Sequence, residues 1–212
     1  MDVKKIRTMK YFIDAAIEVV EEVGIENATI RKIAEKSGYN IATVYNYFED
    51  FDHLIFYTKI SYLENYTERL SKELEEGLLP LNEFLKIWEI FSNEAFKNPK
   101  VFYDLFFSKY CKILDDTLNT YYEIYPEKVK TNRKRLISML NEPDIYMRNM
   151  TLINNCLENN CFSLDRNIEE INEIIVLTFR GFLDEYIELG YSDVDGYTEK
   201  FMKYLRTVLN IN

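Results

Sequence analysis

The sequence has few of the residues that break helices and no segment suited to crossing a membrane. Its 212 residues include only six glycines and four prolines, which favours long helices over many turns. No stretch approaches the roughly 20 apolar residues that span a bilayer. The first twelve residues are charged and then amphipathic, without the apolar run of a signal peptide. We therefore expect a cytoplasmic protein with no membrane partner.

Residues that commonly build catalytic and metal sites are also scarce. There is one histidine, His53, and it lies far from the three cysteines. The sequence has no Gly-rich phosphate loop, no His-Glu-x-x-His motif and no serine nucleophile elbow. We expect no enzyme activity, no metal and no cofactor. For His53 we expect a place at the surface or at a helix N-terminus.

The cysteines are Cys111, Cys156 and Cys161. An odd number without a secretion signal indicates reduced thiols. If Cys156 and Cys161 lie in one helix, they point to different faces, and their backbones are too far apart for an unstrained disulfide. Buried, inert thiols are the first interpretation, and a redox-sensing role is the alternative.

The hydrophobic pattern predicts an all-α chain of roughly nine helices, because apolar residues recur at helical spacing and no strand-like alternation is evident. An N-terminal helix is expected over 5–23 and two short helices over 29–47. Further helices are expected over 52–76, 81–97, 99–125 with a possible break around Asp115-Asp116, 128–140, 143–160, 168–189 and from after Asp195-Gly196 to about 209.

The segment from Thr29 to Phe48 is the most informative part of the chain. Thr29 is placed to cap one short helix, and Asn40 to cap the next. Between them, Gly38 can take the left-handed conformation that ends a helix. Val44 and Phe48 lie four residues apart, so the second helix has an apolar side to bury. Two helices joined by a glycine-containing turn are typical of the helix-turn-helix motif, whose second helix enters the DNA major groove.

This segment, with the helix before it, resembles the DNA-binding domain of the TetR family of transcriptional regulators. The match consists of an ordered set of residues at the family's spacing: Thr29, Ile33, Ala34, Gly38, Thr43, Val44, Tyr45, Phe48 and Leu54. Two positions depart from the family pattern. Tyr47 stands where a histidine is usual, and Phe51 stands where a lysine that contacts phosphate is usual. The second change should weaken sequence-independent DNA affinity.

The resemblance implies a set of DNA-contacting residues. Ile41, Ala42 and Thr43 would face the floor of the groove, although Ile41 could equally belong to the core. Tyr45, Asn46 and Tyr47 would lie toward the DNA backbone, and Thr29 would meet a phosphate. Arg31 matches a position that reaches a base in some family members. A bidentate contact to guanine is the strongest that an arginine could make.

The net charge of −10 is unusual for a DNA-binding protein, but it is unevenly distributed. Residues 1–60 carry 8 Lys and Arg against 10 Asp and Glu, and the rest carry 18 against 26. The acidity therefore lies mainly outside the helix-turn-helix, which predicts poor non-specific binding and steep salt dependence. Two clusters of basic residues precede the turn of the helix-turn-helix motif, although these residues could instead be ordinary solvated surface residues: Lys4, Lys5, Arg7, Lys10, Arg31, Lys32 and Lys36.

The family resemblance further implies a domain at 1–50 that binds DNA and a helical domain at 51–212 that binds an effector and dimerises. For the homodimer interface we expect the apolar residues of the last two helices, with intrachain core as the alternative: Ile175, Phe179, Phe182, Tyr186, Phe201, Tyr204 and Leu205. For a ligand pocket we expect a group of aromatic residues, which could equally be plain core: Trp88, Phe91, Tyr103, Phe106, Phe107 and Tyr110.

The expected function is that of a sequence-specific regulator, in the family's commoner form a repressor. A small apolar or aromatic effector would release it from a palindromic double-stranded DNA operator. The alternative is a helical protein-interaction module that has lost DNA binding. The protein-interaction alternative explains the acidic net charge and the absence of a lysine at Phe51. It does not explain why residues of the helix-turn-helix occur in the family's order and spacing.

Overall fold

The computed structural model describes residues 2–108, 111, 114–126, 134–142, 144–161 and 167–211. These residues form eleven α-helices and one short 3-10 turn, with no strand among them, which confirms the all-α prediction. The helices are α1 (Val3–Val23), α2 (Ile30–Ser37), α3 (Ile41–Val44), α4 (Phe51–Glu73), α5 (Pro80–Lys97), α6 (Pro99–Phe107), α7 (Leu114–Ile124), α8 (Lys134–Asn141), α9 (Ile145–Glu158), α10 (Ile168–Leu189) and α11 (Val194–Leu209). No described helix combines the length and apolar character needed to cross a bilayer.

The region expected to be helical over 99–125, with a possible break around Asp115-Asp116, forms two helices, α6 and α7. Helix α7 begins at Leu114, so both aspartates belong to its first turn and the interruption lies just before them. The helix that was expected to reach Tyr47 is also shorter. Regular α-helix ends at Val44, and residues 45–47 continue as a tighter turn.

The described residues divide into two compact units. The first contains those of 1–63 and 116–129, so the N-terminal helices are joined by most of α7. Its core consists of side chains from α1, α2, α3 and the first half of α4, among them Phe12, Ile33, Val44, Phe48 and Leu54. The prediction that Val44 and Phe48 form a buried side is therefore confirmed, and Ile33 and Ala34 of α2 are buried as well.

The second unit contains the described residues of 64–115 and 130–212. Trp88 on α5 lies at its centre, with ring centroids 5.4 Å from both Phe179 on α10 and Phe201 on α11. A chain of buried polar groups begins at the same indole. Trp88 Nε1 donates to Asn149 Oδ1 at 2.8 Å, and Asn149 Nδ2 donates to Asn172 Oδ1 at 2.8 Å. These bonds fix α5, α9 and α10 to one another, because a buried polar group is costly to leave unpaired.

Candidate nucleic-acid interface

The two helices of the helix-turn-helix motif, α2 and α3, which we call the reader, begin at the expected residues, and α2 also ends where expected. Thr29 Oγ1 accepts a hydrogen bond from Lys32 N at 3.3 Å and caps α2. Gly38 ends α2 with φ of 74°, in the left-handed region that favours glycine. Asn40 Oδ1 accepts from both the backbone N–H and the hydroxyl of Thr43, at 2.8 and 2.9 Å, and caps α3. These local bonds set the angle between α2 and α3.

Burial of one side of the reader leaves the other side exposed. Val44 and Phe48 have relative exposures of 0% and 1%, and they anchor α3 and its following turn to the core. Ile41 is 38% exposed and Tyr45 is 46% exposed, so Ile41 is not a core residue. Of the other expected DNA-contacting residues, Thr29, Arg31, Ala42 and Asn46 are exposed, while Thr43 and Tyr47 are half-buried.

Two exposed groups on this surface are available for hydrogen bonding to DNA. Because Thr29 Oγ1 uses a lone pair to accept from Lys32 N, its own O–H proton can still be donated to a phosphate. Arg31 lies in the first turn of α2 and makes no ion pair or hydrogen bond with another side chain that the structure describes. Its five N–H donors are therefore free for a base edge or phosphate.

The basic clusters expected from the sequence are smaller in the folded chain. Lys36 Nζ lies 3.0 Å from Glu18 and 2.7 Å from Glu22 on α1, so its charge is matched by carboxylates. Lys10 pairs with Asp14 at 3.0 Å. Arg7 Nη2 lies 3.5 Å from the hydroxyl of Tyr11. The exposed cations here that pair with no described carboxylate are Lys4, Lys5, Arg7, Arg31 and Lys32. The pairing of Lys36 joins α2 to α1, so it could not be predicted from spacing along the sequence.

The two departures from the family pattern have different structural roles. The ring of Tyr47 packs at 5.8 Å from Phe12, and this contact explains why Tyr47 is half-buried. Phe51 opens α4 directly after Asp50, which caps the helix by accepting from His53 N at 2.7 Å. His53 Nδ1 in turn accepts from Glu49 N at 3.2 Å. The expectation that His53 lies near a helix N-terminus is confirmed.

A residue distant in sequence supports α1, the helix that precedes the reader. Tyr125, directly after α7, is 1% exposed, and its hydroxyl donates to Asp14 Oδ1 at 2.7 Å. Lys10 Nζ lies 4.2 Å from the centre of the same ring. Tyr125 lies 111 residues from Asp14 in the sequence. Nothing in its spacing signals a contact with residues 10 and 14.

The aromatic residues expected to line a ligand pocket are packed against one another. Phe91 has ring centroids 5.6 Å from Trp88 and 5.4 Å from Phe106. Phe107 packs at 5.8 Å from Tyr103. Tyr110 lies outside the described residues. Of the set, Trp88 and Phe91 border a cavity, whose volume of about 20 Å³ has room for one water molecule.

A larger groove of about 270 Å³ lies between α5, α8 and α9. It shares Ile87 and Leu152 with the small cavity. Its polar lining was not anticipated from the sequence, because it is assembled from three separate helices: Glu83, Ser138, Thr151, Asn154, Asn155 and Glu158. None of the described residues that line it is basic.

Most residues expected at a dimer interface are instead buried within the chain itself. Among them, only Tyr204 is exposed, at 50%. The others contribute to the core of the second unit, with relative exposures of 8% or less: Ile175, Phe179, Phe182, Tyr186, Phe201 and Leu205. The outer face of α10 carries other apolar residues at helical spacing. Ile174 is 43% exposed and Leu177 is 48% exposed, and exposed Gly181 follows one turn later.

Comparisons with known proteins agree with this geometry. Residues 12–57 match the family of bacterial regulatory proteins described as the tetR family. None of the curated proteins compared with this chain matches it. Three solved structures share the fold. A TetR transcription regulator from Haloarcula marismortui is 12% identical, with 96% of this chain and 97% of that chain covered and a TM-score of 0.57.

The second structure is Thermus thermophilus FadR, a TetR family transcriptional repressor in complex with lauroyl-CoA. It is 14% identical, with 96% of each chain covered and a TM-score of 0.60. The third is RolR in complex with resorcinol, which is 15% identical, with 99% of this chain and 90% of that chain covered and a TM-score of 0.57. At such low identity these likenesses establish the fold alone.

Proposed function

We propose, on the premise that residues 12–57 match the tetR family of bacterial regulatory proteins, that the chain is a sequence-specific repressor of a palindromic DNA operator. The proposal rests on one observation, which is that the reader has one buried side and one exposed side. Val44 and Phe48 fix the reader segment to the core, and the opposite side presents exposed Ile41, Ala42 and Tyr45. Such a surface fits the DNA major groove.

The exposed groups of the reader contact different parts of the DNA in this proposal. Arg31 reads a base edge through its guanidinium, with guanine O6 and N7 as the matching acceptors. Ile41 and Ala42 contact thymine methyl groups. Thr29 donates its hydroxyl proton to a phosphate, and Tyr45 and Asn46 bind the adjoining backbone. Tyr47 and Thr43 are half-buried, so they contribute mainly by fixing the position of the reader.

The homodimer that a palindrome requires is proposed to use the outer face of α10 with Tyr204 of α11. Ile174, Leu177 and Gly181 recur at helical spacing and are exposed. Tyr204 adds an exposed ring from α11, which packs edge-on against Phe182 at 5.2 Å. The interface proposed here therefore lies on the helices expected from the sequence, but on the side opposite to the buried residues of α10.

An effector is proposed to act through the second unit. Trp88 and Phe91 line the small cavity, and the groove of about 270 Å³ adjoins it through Ile87 and Leu152. A small molecule with an apolar or aromatic part could enter the groove and reach Trp88. Helix α4 supplies residues to both units of the chain. It is therefore the element that we propose transmits the ligand's effect, which needs a coupling of only about 1–3 kcal/mol.

Selection of binding sites from random-sequence DNA tests the proposal. The expected result is enrichment of a palindrome whose half-sites are about one helical turn, roughly 34–36 Å, apart. An Arg31→Lys variant should enrich a site that is less constrained at one symmetric pair of positions, because lysine lacks the bidentate fork. A selection that enriches no sequence would overturn the proposal and favour a protein-interaction module.

A further inference from the structure

The end of α9 brings two cysteines together through a backbone motif. Helix α9 ends at Glu158, so Cys161 lies outside it. The chain turns back because Asn160 adopts the left-handed conformation, with φ of 55°. Asn160 N donates to Leu157 O at 2.9 Å, and Cys161 N donates to Cys156 O at 2.9 Å. This pair of bonds defines a Schellman motif.

In a Schellman motif, the residues joined by the longer bond commonly have side chains in contact. Here those residues are Cys156 and Cys161, so the contact is between two thiols rather than two apolar groups. A disulfide needs Cα atoms roughly 4.4–6.8 Å apart. Two residues joined by a direct main-chain hydrogen bond meet that requirement without movement of the backbone.

The two thiols differ in their access to solvent. Cys156 is 0% exposed, whereas Cys161 is half-buried. Burial raises the pKa of the Cys156 thiol to about 12, and the adjacent Cys161 and the charge of Glu83 act in the same direction. Cys161 is therefore the thiol that a dissolved reagent meets first. Because the Cys156 thiol is shielded from solvent, it can react only with a sulfur atom that belongs to the adjacent Cys161 or is bonded to it.

We propose that Cys156 and Cys161 form a reversible intrachain disulfide when the protein meets a low-molecular-weight disulfide. The Cys161 thiolate attacks one sulfur of the small disulfide, whose S–S bond breaks and releases one thiol. The Cys156 thiol then loses its proton and attacks the Cys161 sulfur, which expels the second small thiol. The two protein thiols are oxidised by two electrons, and the small disulfide is reduced to two thiols.

The disulfide would fix the last turn of α9 to Cys161, which lies beyond the end of that helix. That turn includes Asn155 and Glu158, which line the groove between α5, α8 and α9. The dithiol is therefore a modification site next to the groove of about 270 Å³ in the second unit.

Glutathione disulfide is the probe for the test, applied to the full chain carrying Cys111→Ser so that the third thiol cannot react. A protease that cuts after glutamate separates Cys156 from Cys161 at Glu158. The expected product under non-reducing conditions is one mass in which both peptides are joined, lower by two hydrogen atoms than their sum. A reductant should return the two separate peptides. The matched Cys156→Ser variant should instead keep glutathione attached to Cys161.

A second pair of variants tests the turn itself. Asn160→Gly retains the left-handed conformation, whereas Asn160→Val disfavours it, because a β-branched residue rarely adopts positive φ. Closure of the disulfide should proceed in the glycine variant as in the parent and at least about fivefold more slowly in the valine variant. Circular dichroism confirms that both variants fold. A stable glutathione adduct on Cys161 of the parent, with no joined peptides, would overturn the proposal, as would equal closure rates in the two variants.

Discussion

The hydroxyl of Tyr125 donates a 2.7 Å hydrogen bond to the carboxylate of Asp14, 111 residues earlier in the chain. The bond attaches the end of α7 to the first helix of the DNA-reading unit, and both residues lie in that unit. Tyr125 is buried and also lies beneath the ammonium group of Lys10. The reader is therefore supported by a segment that no local pattern assigns to it.

Replacing Tyr125 by Phe should destabilise the N-terminal unit by about 1–2 kcal/mol, because the ring is kept while a hydrogen bond to a carboxylate is lost. Urea unfolding followed by circular dichroism measures the change. The control is Tyr11→Phe, which removes an exposed hydroxyl 3.5 Å from Arg7 and should cost less than about 0.5 kcal/mol. Equal losses in the two variants would show that the Tyr125–Asp14 bond has no special role.

Replacing Leu177 by Glu should dissociate the homodimer, because it places charge on the apolar outer face of α10 without disturbing the core. Sedimentation velocity at micromolar concentration should show a dimer for the parent and a monomer for the variant. Leu79→Glu is the matched control, since Leu79 is 69% exposed just before α5 and should leave the dimer intact. A Leu177→Glu dimer as tight as the parent would exclude this face as the interface.

Stability should fall as the pH is lowered through the titration of His53. Burial lowers the pKa of His53 below its usual value of 6.5, while Glu49 and Asp50 act in the opposite direction. Above pH 6.5 the residue is neutral in both folded and unfolded chains. Below it, the unfolded chain takes up the proton first, so the free energy of unfolding decreases until the folded pKa is passed. Protonation would also remove the Nδ1 acceptor used by Glu49 N.

The His53→Gln variant supplies the comparison for this pH dependence, because it cannot titrate but keeps an acceptor oxygen. Urea unfolding of both proteins at pH 7, 6 and 5 should give a steeper decline for the parent. Parallel declines would show that carboxylates, not His53, set the acid sensitivity in this range.

Replacing Asn149 by Ala should cost about 2–4 kcal/mol, because it leaves two buried partners without their hydrogen bonds, Trp88 Nε1 and Asn172 Oδ1. Trp88 is the only tryptophan in the chain, so its fluorescence reports unfolding of the second unit directly. Asn154→Ala on the same helix, at an exposed position, is the control and should change stability little. A loss no larger than that of the control would show that the network contributes nothing measurable.

The sequence was informative where structure is determined by neighbouring residues. Caps at Thr29 and Asn40, the left-handed Gly38 and the buried Val44 and Phe48 depend on spacings of a few residues. Each expectation was confirmed. The exposure of Ile41 could not be decided in the same way, because apolar residues occupy both cores and binding surfaces.

The sequence was less informative where residues from separate helices meet. Ile175 and Phe179 were expected at a dimer surface because α10 is apolar around much of its circumference, yet α5 and α11 cover that side within one chain. Lys36 looked like a free cation until α2 was placed beside Glu18 and Glu22. Cys156 and Cys161 were expected to be too far apart for a disulfide if both lay in one helix, but the turn at Asn160 places Cys161 outside α9, and that turn could not be foreseen from the helical pattern.

The most direct test of the account is DNA binding by the purified protein at two salt concentrations, compared between the parent and the Arg31→Ala and Lys36→Ala variants. The parent should bind the selected palindrome with an affinity that falls steeply with salt. Arg31→Ala should lose about 1–3 kcal/mol of discrimination between that site and unrelated DNA. Lys36→Ala should lose less, because Lys36 is already paired with Glu18 and Glu22. Equal, unspecific binding by all three proteins would contradict a DNA-reading role for this surface.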